Sequence, residues 1–323
     1  MDEALRLGEG AVGEVTGSVD IAKLAARVAE ALGRFYVLTP LGVKCTFPVF
    51  KGTADGTPSI FVKIGLEEEW HRTARVVNAA SDPYREPSSA AALPSLFPAL
   101  LTPSPIPYGE DRVVFISEWR EAKMVFPEDM TPAQQQGFVD GCVRLSDALQ
   151  AVETFTPIAK SPLAPEQLFA TLADYAARHP VASRLLKSIL SIPEAERTFG
   201  SRPLAIIHGD FHAKNFGFAG EALSVVYDFD KLTQGLACGD LGNALMERFS
   251  CLGLSRDARR RLRAATRAIV TAAPWSREDF VITCNHIRLA FASRRIVKHP
   301  HSAWVAFDIA RRDRRLREFL GCL

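Results

Sequence analysis

Leu204-Ala205-Ile206-Ile207-His208-Gly209-Asp210-Phe211-His212-Ala213-Lys214-Asn215 is followed by Val225-Val226-Tyr227-Asp228-Phe229-Asp230 and then by Cys238-Gly239-Asp240-Leu241. Two short apolar runs, Leu204–Ile207 and Leu223–Tyr227, each end at a cluster of acidic or metal-binding side chains. Runs of that length bounded by polar residues read as buried strands. Strands that end on carboxylates bring them together, which is the outline of a two-carboxylate metal site.

Asp210 precedes Asn215 by five positions, and Asp228 follows Asn215 by thirteen. This interval pattern matches a kinase catalytic loop and the metal-binding aspartate beyond it, where an Asp orients the acceptor hydroxyl and Asn and Asp hold Mg²⁺. His208-Gly209-Asp210-Phe211-His212-Ala213-Lys214-Asn215 with Asp228-Phe229-Asp230 resembles the signature of the aminoglycoside phosphotransferase and choline kinase superfamily. That resemblance implies an α+β, bilobal, protein-kinase-like fold with a small antiparallel-sheet N-lobe over residues 1–117 and a larger, mainly helical C-lobe over 118–323. It also implies an ATP- or GTP-dependent, Mg²⁺-requiring transfer of the γ-phosphoryl group to a small-molecule hydroxyl.

By the same resemblance, Asp210 orients the acceptor and takes its proton late. Asn215 and Asp228 hold Mg²⁺, and Asp230 reaches a second metal or its water shell. His208 fixes the loop by hydrogen bonding, and the acidic position of Asp240-Leu241-Gly242-Asn243 braces it. His212 is open between facing the phosphate or substrate and a structural role, and Lys214 is an unusual cation within the motif.

The N-terminal half supplies the other expected parts. Lys63 is an isolated charge on the apolar run Ile60–Ile64 and needs a partner; the resemblance assigns it to the α- and β-phosphates. Its own helix partner is expected to be Glu69, although Glu67, Glu68 and Glu69 fall early in that helix and also suit its N-terminus electrostatically. The loop Thr39–Lys44 occupies the position that covers the phosphates, with Gly42 its one glycine. Glu118 and Trp119 fall at the hinge that recognises adenine.

Composition bounds the alternatives. The chain has 323 residues, 47% hydrophobic and 24% charged, ample for a substantial core and unlike a disordered chain. No apolar run approaches eighteen residues, and the first residues are acidic, so neither a membrane span nor a signal peptide is expected. Cys45, Cys142, Cys238, Cys251, Cys284 and Cys322 are scattered without a CxxC pair, pointing to reduced thiols in a cytoplasmic protein.

The net charge is +2, but residues 251–323 carry 16 Lys+Arg against 6 Asp+Glu, or +10, leaving −8 for the rest. Such basic runs are commonly solvated helix faces. They also suit a neutral or anionic acceptor, or peripheral contact with an anionic surface. Nucleic-acid binding is disfavoured because these segments lack interleaved aromatics.

In chain order, the pattern predicts a helix from Ser18 to Gly33. Three strands follow, Phe35–Leu38, Cys45–Lys51 and Ser59–Ile64, the last two joined by the turn Thr53–Gly56, then a helix Glu67–Ala80 and a strand Arg112–Ser117. Helices are predicted over Thr131–Val152, Leu163–Ala177, Val181–Ile192, Arg256–Ala272, Arg277–Lys298 and Ser302–Leu320.

Two rival functions share these residues. A metal-dependent phosphoesterase-type hydrolase would use His208, Asp210, His212, Asp228 and Asp230 as ligands to two metals. Its further ligands would have to come from His71, His286, His299 and His301. A catalytically silent kinase-like module would keep the fold and bind nucleotide or a partner protein. In the blandest reading Asp210 and Asn215 cap turns and His208 is a satisfied core residue.

Overall fold

A computed structural model describes residues 19–41, 47–80, 96–153, 164–251, 253–302 and 304–323. Gly42, with most of its loop, and Ser18 lie outside them. The contacts divide the chain into two compact units, residues 1–70 with 100–119 and residues 71–99 with 120–323.

The first unit begins with α1 (Ile21–Leu32). Asp20 caps it by accepting the Lys23 N–H at 3.0 Å, and Gly33 ends it in the left-handed region; such an N-cap contributes about 1 kcal/mol. Its buried stripe, Leu24, Ala25 and Val28, packs on a five-stranded antiparallel sheet. The strands are β1 (Val37–Pro40), β2 (Val49–Thr53), β3 (Ile60–Gly65), β4 (Ile106–Pro107) and β5 (Val113–Glu118), in the order β1-β2-β3-β5-β4. The first two strands start later than their apolar patterns suggest.

The period of two along β3 decides where its lysine points. Ile60, Val62 and Ile64 are buried in the core that α1 covers, with Val114 and Ile116 of β5. Lys63 therefore lies on the opposite face, in register with Phe115.

α2 (Glu67–Ala80) starts in the first unit and continues into the second. In the second unit α3 (Pro132–Glu153) opens with a capping box. The Thr131 hydroxyl accepts the Gln134 N–H at 3.2 Å, and the Gln134 side chain accepts the Thr131 N–H at 3.1 Å. α4 (Pro165–Arg178), α5 (Pro180–Leu185) and α6 (Lys187–Leu190) follow.

Here the structure corrects the single helix expected over Val181–Ile192. The chain breaks at Leu186, and the break delivers the Ser188 carbonyl to Arg288 at 3.2 Å and the Ser188 hydroxyl to Asp313 at 2.6 Å.

Four short strands then build the stretch that carries Asp210 and Asp228. β6 (Ala205–Ile207) pairs antiparallel with β9 (Thr233–Gly235), and β7 (Phe216–Ala219) with β8 (Ala222–Val226). α7 (Gly239–Ser250), α8 (Arg256–Ala272), α9 (Arg277–Lys298) and α10 (Trp304–Leu320) complete the chain. The main core of this unit joins Phe138 and Leu145 of α3, Phe211, Phe216, Phe218 and Phe229 of the segment from β6 to β9, and Leu245, Phe280 and Phe319 of α7, α9 and α10.

The basic C-terminal helices are laced with ion pairs. Arg288 and Asp313 form a buried pair at 2.6 Å, Arg263 meets Glu318 at 3.1 Å, and Arg295 meets Asp308 at 2.8 Å. Cys142, Cys238, Cys251, Cys284 and Cys322 are free thiols, and burial pushes those of Cys238 and Cys284 up to about 12. No helix among the described residues is long and apolar enough to cross a membrane.

Candidate active site

β6 ends at Ile207, and the next eight residues form a loop held from below. The buried carboxylate of Asp240, in the first turn of α7, accepts the backbone N–H of His208 at 2.8 Å and that of Gly209 at 3.2 Å. Burial raises the Asp240 pKa from the ordinary carboxylate value, against the pull of these donors. Asn243, one turn later, donates to the Phe211 carbonyl at 3.4 Å. Asp240 thus braces the loop geometrically.

His208 is fully buried, with both ring nitrogens engaged. Nε2 lies 2.7 Å from the Tyr227 carbonyl, and Nδ1 lies 3.3 Å from the Asp210 N–H. A carbonyl can only accept and an N–H only donate, so the ring proton sits on Nε2. Neither nitrogen remains for a metal, which removes His208 from the ligand set that a two-metal hydrolase would need.

Gly209 has φ +75°, and a Cβ there would stand 2.1 Å from the Lys231 carbonyl oxygen. The position requires glycine both for the sign of φ and for that close approach. Phe211, midway along the loop, anchors it in the core, stacked on Phe216 with ring centroids 4.7 Å apart.

Asp210 and Asn215 are joined directly: the Asn215 side-chain amide donates to the Asp210 carbonyl at 2.9 Å. The same nitrogen lies 3.4 Å from His212 Nε2, and the Asn215 N–H bonds the His212 carbonyl at 2.8 Å. With the amide nitrogen committed, Oδ1 is the atom Asn215 has for a cation. The Tyr227 N–H bonds the Asn215 carbonyl at 2.8 Å, which sets Asp228 immediately beyond that contact.

Asp228 has φ 68° and ψ 63°, the one non-glycine residue with positive φ among the described residues. A strained backbone of this kind persists where the surroundings over-determine it, as at ligand sites. Asp230 follows in a single 3₁₀ turn, Phe229–Lys231.

An amide oxygen and a carboxylate are hard donors that fit a Mg²⁺-type ion, which draws the rest of its shell from water and phosphate. Among the described residues no group of three or more His, Cys, Asp and Glu side chains is arranged to hold a metal by itself. Asn215 and Asp228 carry two oxygen donors of the kind such an ion accepts.

Lys231 was not anticipated from the sequence. Its Nζ lies 2.6 Å from Asp210 Oδ2, while His212 Nε2 stands 3.8 Å from the same oxygen. The only signal was a cation directly after the Asp228-Phe229-Asp230 motif. Lys214, inside the motif, is exposed.

In the first unit Lys63 Nζ lies 3.7 Å from Glu69 Oε2, and both side chains are largely buried. Glu67 and Glu68 are exposed, so the geometry singles out Glu69 among the three. Glu69 also accepts the Leu66 N–H at 3.2 Å, closing the first turn of α2. Gly65 makes room, because a Cβ there would lie 2.7 Å from both the Glu69 carboxylate and the Phe115 ring. Glu118 ends β5 opposite Ile60; the Trp119 N–H bonds the Ser59 carbonyl at 3.2 Å and its ring lies 4.5 Å from Lys51 Nζ.

The family model described as "Phosphotransferase enzyme family" matches residues 70–280, a span that includes Asp210, Asn215 and Asp228. No curated protein matches the chain in sequence. Among solved structures, a thermostable mutant of aminoglycoside phosphotransferase APH(4)-Ia with ADP and hygromycin B is 15% identical, with a TM-score of 0.56 over 91% of this chain and 98% of that one. The amicoumacin kinase hAmiN, in complex with AMP-PNP, Ca²⁺ and Ami, is 11% identical with a TM-score of 0.56, over 93% and 94%. A choline/ethanolamine kinase family protein from Mesorhizobium loti is 15% identical with a TM-score of 0.55, over 93% and 94%. At these identities the likeness is one of fold, and it is the protein-kinase-like α+β fold expected from the sequence.

Proposed function

This chain belongs to the phosphotransferase enzyme family, and on that footing we propose that it transfers the γ-phosphoryl group of ATP or GTP to a hydroxyl of a small molecule, with Mg²⁺. The observation that carries this reading is the hydrogen-bonded junction of Asp210 and Asn215, with Asp228 set beside it by the Tyr227–Asn215 backbone bond. The transition state of such a transfer is loose and highly anionic, so the protein's task is positioning and charge compensation.

In this reading Asp210 accepts a hydrogen bond from the acceptor hydroxyl and takes its proton as the new P–O bond forms. A carboxylate is a weak base, and late proton transfer suits it. Asn215 Oδ1 and the Asp228 carboxylate would hold the cation, with Asp230 contributing to a second ion or its water shell; a bound divalent ion offsets phosphate charge. Asp240 and His208 keep the loop in shape without touching substrate. Lys63, steadied by Glu69, is the cation offered to the α- and β-phosphates, and the chain around Glu118 and Trp119 is the segment offered to the base.

Neighbours of the same fold bind ADP or AMP-PNP, one with Ca²⁺, alongside hygromycin B or amicoumacin. For this chain the charge distribution favours a neutral or anionic acceptor such as a sugar or glycan precursor. Even after the ion pairs among the C-terminal helices, 16 basic residues against 6 acidic ones leave a positive surplus over residues 251–323.

The test is a screen with γ-labelled ATP and Mg²⁺ against sugars, sugar phosphates, amino alcohols and aminoglycosides, with Asp210→Ala as control. Label transfer to a neutral or anionic hydroxyl compound, absent in the variant, supports the reading. Turnover with polycationic antibiotics alone would contradict the acceptor assignment.

A further inference from the structure

The Lys231–Asp210 ion pair has no evident folding task. The Lys231 side chain is 60% exposed, and ion pairs that open to water contribute little to stability. Its backbone, by contrast, is held firmly: the Lys231 carbonyl packs against Gly209, and the flanking Phe229 and Leu232 are buried. The chain thus anchors the root of a lysine beside the loop while its exposed side chain sets Nζ 2.6 Å from one oxygen of the proposed base.

We propose that Lys231 is a positioning residue for phosphoryl transfer, holding Asp210 Oδ2 so that Oδ1 is the oxygen turned to the acceptor hydroxyl. This rests on the phosphotransferase reading above. In the step, the acceptor oxygen bonds the γ-phosphorus, the bond from that phosphorus to the β–γ bridging oxygen breaks, and the nucleoside diphosphate leaves with its electron pair. The acceptor proton goes to Asp210 Oδ1, and Lys231 neither gains nor loses one. His212, at 3.8 Å from Oδ2, is beyond hydrogen-bond distance and does not duplicate the restraint. An unrestrained carboxylate would spend much of its time turned away from the hydroxyl, which slows the chemical step while leaving nucleotide binding intact.

The experiment compares the natural protein with Lys231→Met, Lys231→Arg, Asp210→Asn and the double variant Asp210→Asn/Lys231→Met. Steady-state transfer is measured to the acceptor found by screening, or to water where none is found, with ATP as donor. The expected result is a kcat loss of roughly tenfold or more in Lys231→Met with KM for ATP within about twofold, partial recovery in Lys231→Arg, and no further loss from Lys231→Met in the Asp210→Asn background.

An unchanged kcat in Lys231→Met, a loss confined to KM for ATP, or multiplicative effects in the double variant would each overturn the inference. If the natural protein neither binds nor turns over ATP, the phosphotransferase reading itself fails, and this role falls with it.

Discussion

The Asp240 carboxylate receives the His208 N–H at 2.8 Å across 32 residues of chain, tying the first turn of α7 to the loop that carries Asp210. The same carboxylate holds the Gly209 N–H, so one buried side chain satisfies two successive donors. Asp240→Ala orphans both, at about 1–3 kcal/mol each. The expected loss is roughly 2–6 kcal/mol in denaturant unfolding, together with loss of transfer. A variant as stable as the natural protein would show that the loop is held by something else.

Gly209→Ala places a Cβ against the Lys231 carbonyl at a positive φ. Left-handed strain and a backbone clash together should cost about 2–5 kcal/mol. The unfolding midpoint reads this directly, and a loss below about 1 kcal/mol would mean that the two segments separate easily.

Asp228→Gly should separate stability from function. Removing the side chain relieves a left-handed conformation worth about 1 kcal/mol, so the variant should unfold at a higher denaturant concentration while transfer disappears. Equal or lower stability would indicate that contacts of the Asp228 side chain outweigh the backbone strain.

His286 of α9 gives a pH dependence whose sign follows from its burial. Desolvation, helped by Arg294, lowers its pKa from 6.5 to about 4, and among the described residues Nδ1 meets no hydrogen-bond partner. Between those values the unfolded chain binds a proton that the folded chain refuses, so this contribution is full above pH 6.5 and is lost as pH falls toward 4. The lost amount approaches roughly 3 kcal/mol. His286→Phe should flatten that acid limb, with its stability relative to the natural protein rising between pH 7 and pH 5. Parallel pH profiles for the two proteins would contradict this.

Much of the site was legible because its residues are local. The Asp210–Asn215 junction closes within five residues, and the period of two along β3 fixes the side of the sheet on which Lys63 lies. α8 and α9 keep their expected bounds, since Ser255 and Ser276 cap them and their apolar stripes are unbroken. β7, β9 and α7 were not legible: β7 carries Gly217 in place of an alternating pattern, β9 is only Thr233–Gly235, and α7 opens on Gly239. Their formation depends on partners distant in sequence. The break at Leu186 is likewise unmarked, because the apolar period runs through it; the contacts beside it, from Ser188 to Arg288 and Asp313, are distant in sequence. Lys231 reaches Asp210 across 21 residues through a 3₁₀ turn, a relationship that no spacing rule encodes.

Thermal unfolding with and without Mg·ATP, on the natural protein and on Asp228→Ala, decides whether Asp228 holds a cation together with a nucleotide. At a hundredfold over its dissociation constant the nucleotide should add about 2.7 kcal/mol, a readily seen shift in midpoint that requires Mg²⁺ and vanishes in the variant. No shift with any nucleotide, or an equal shift in Asp228→Ala, would contradict it.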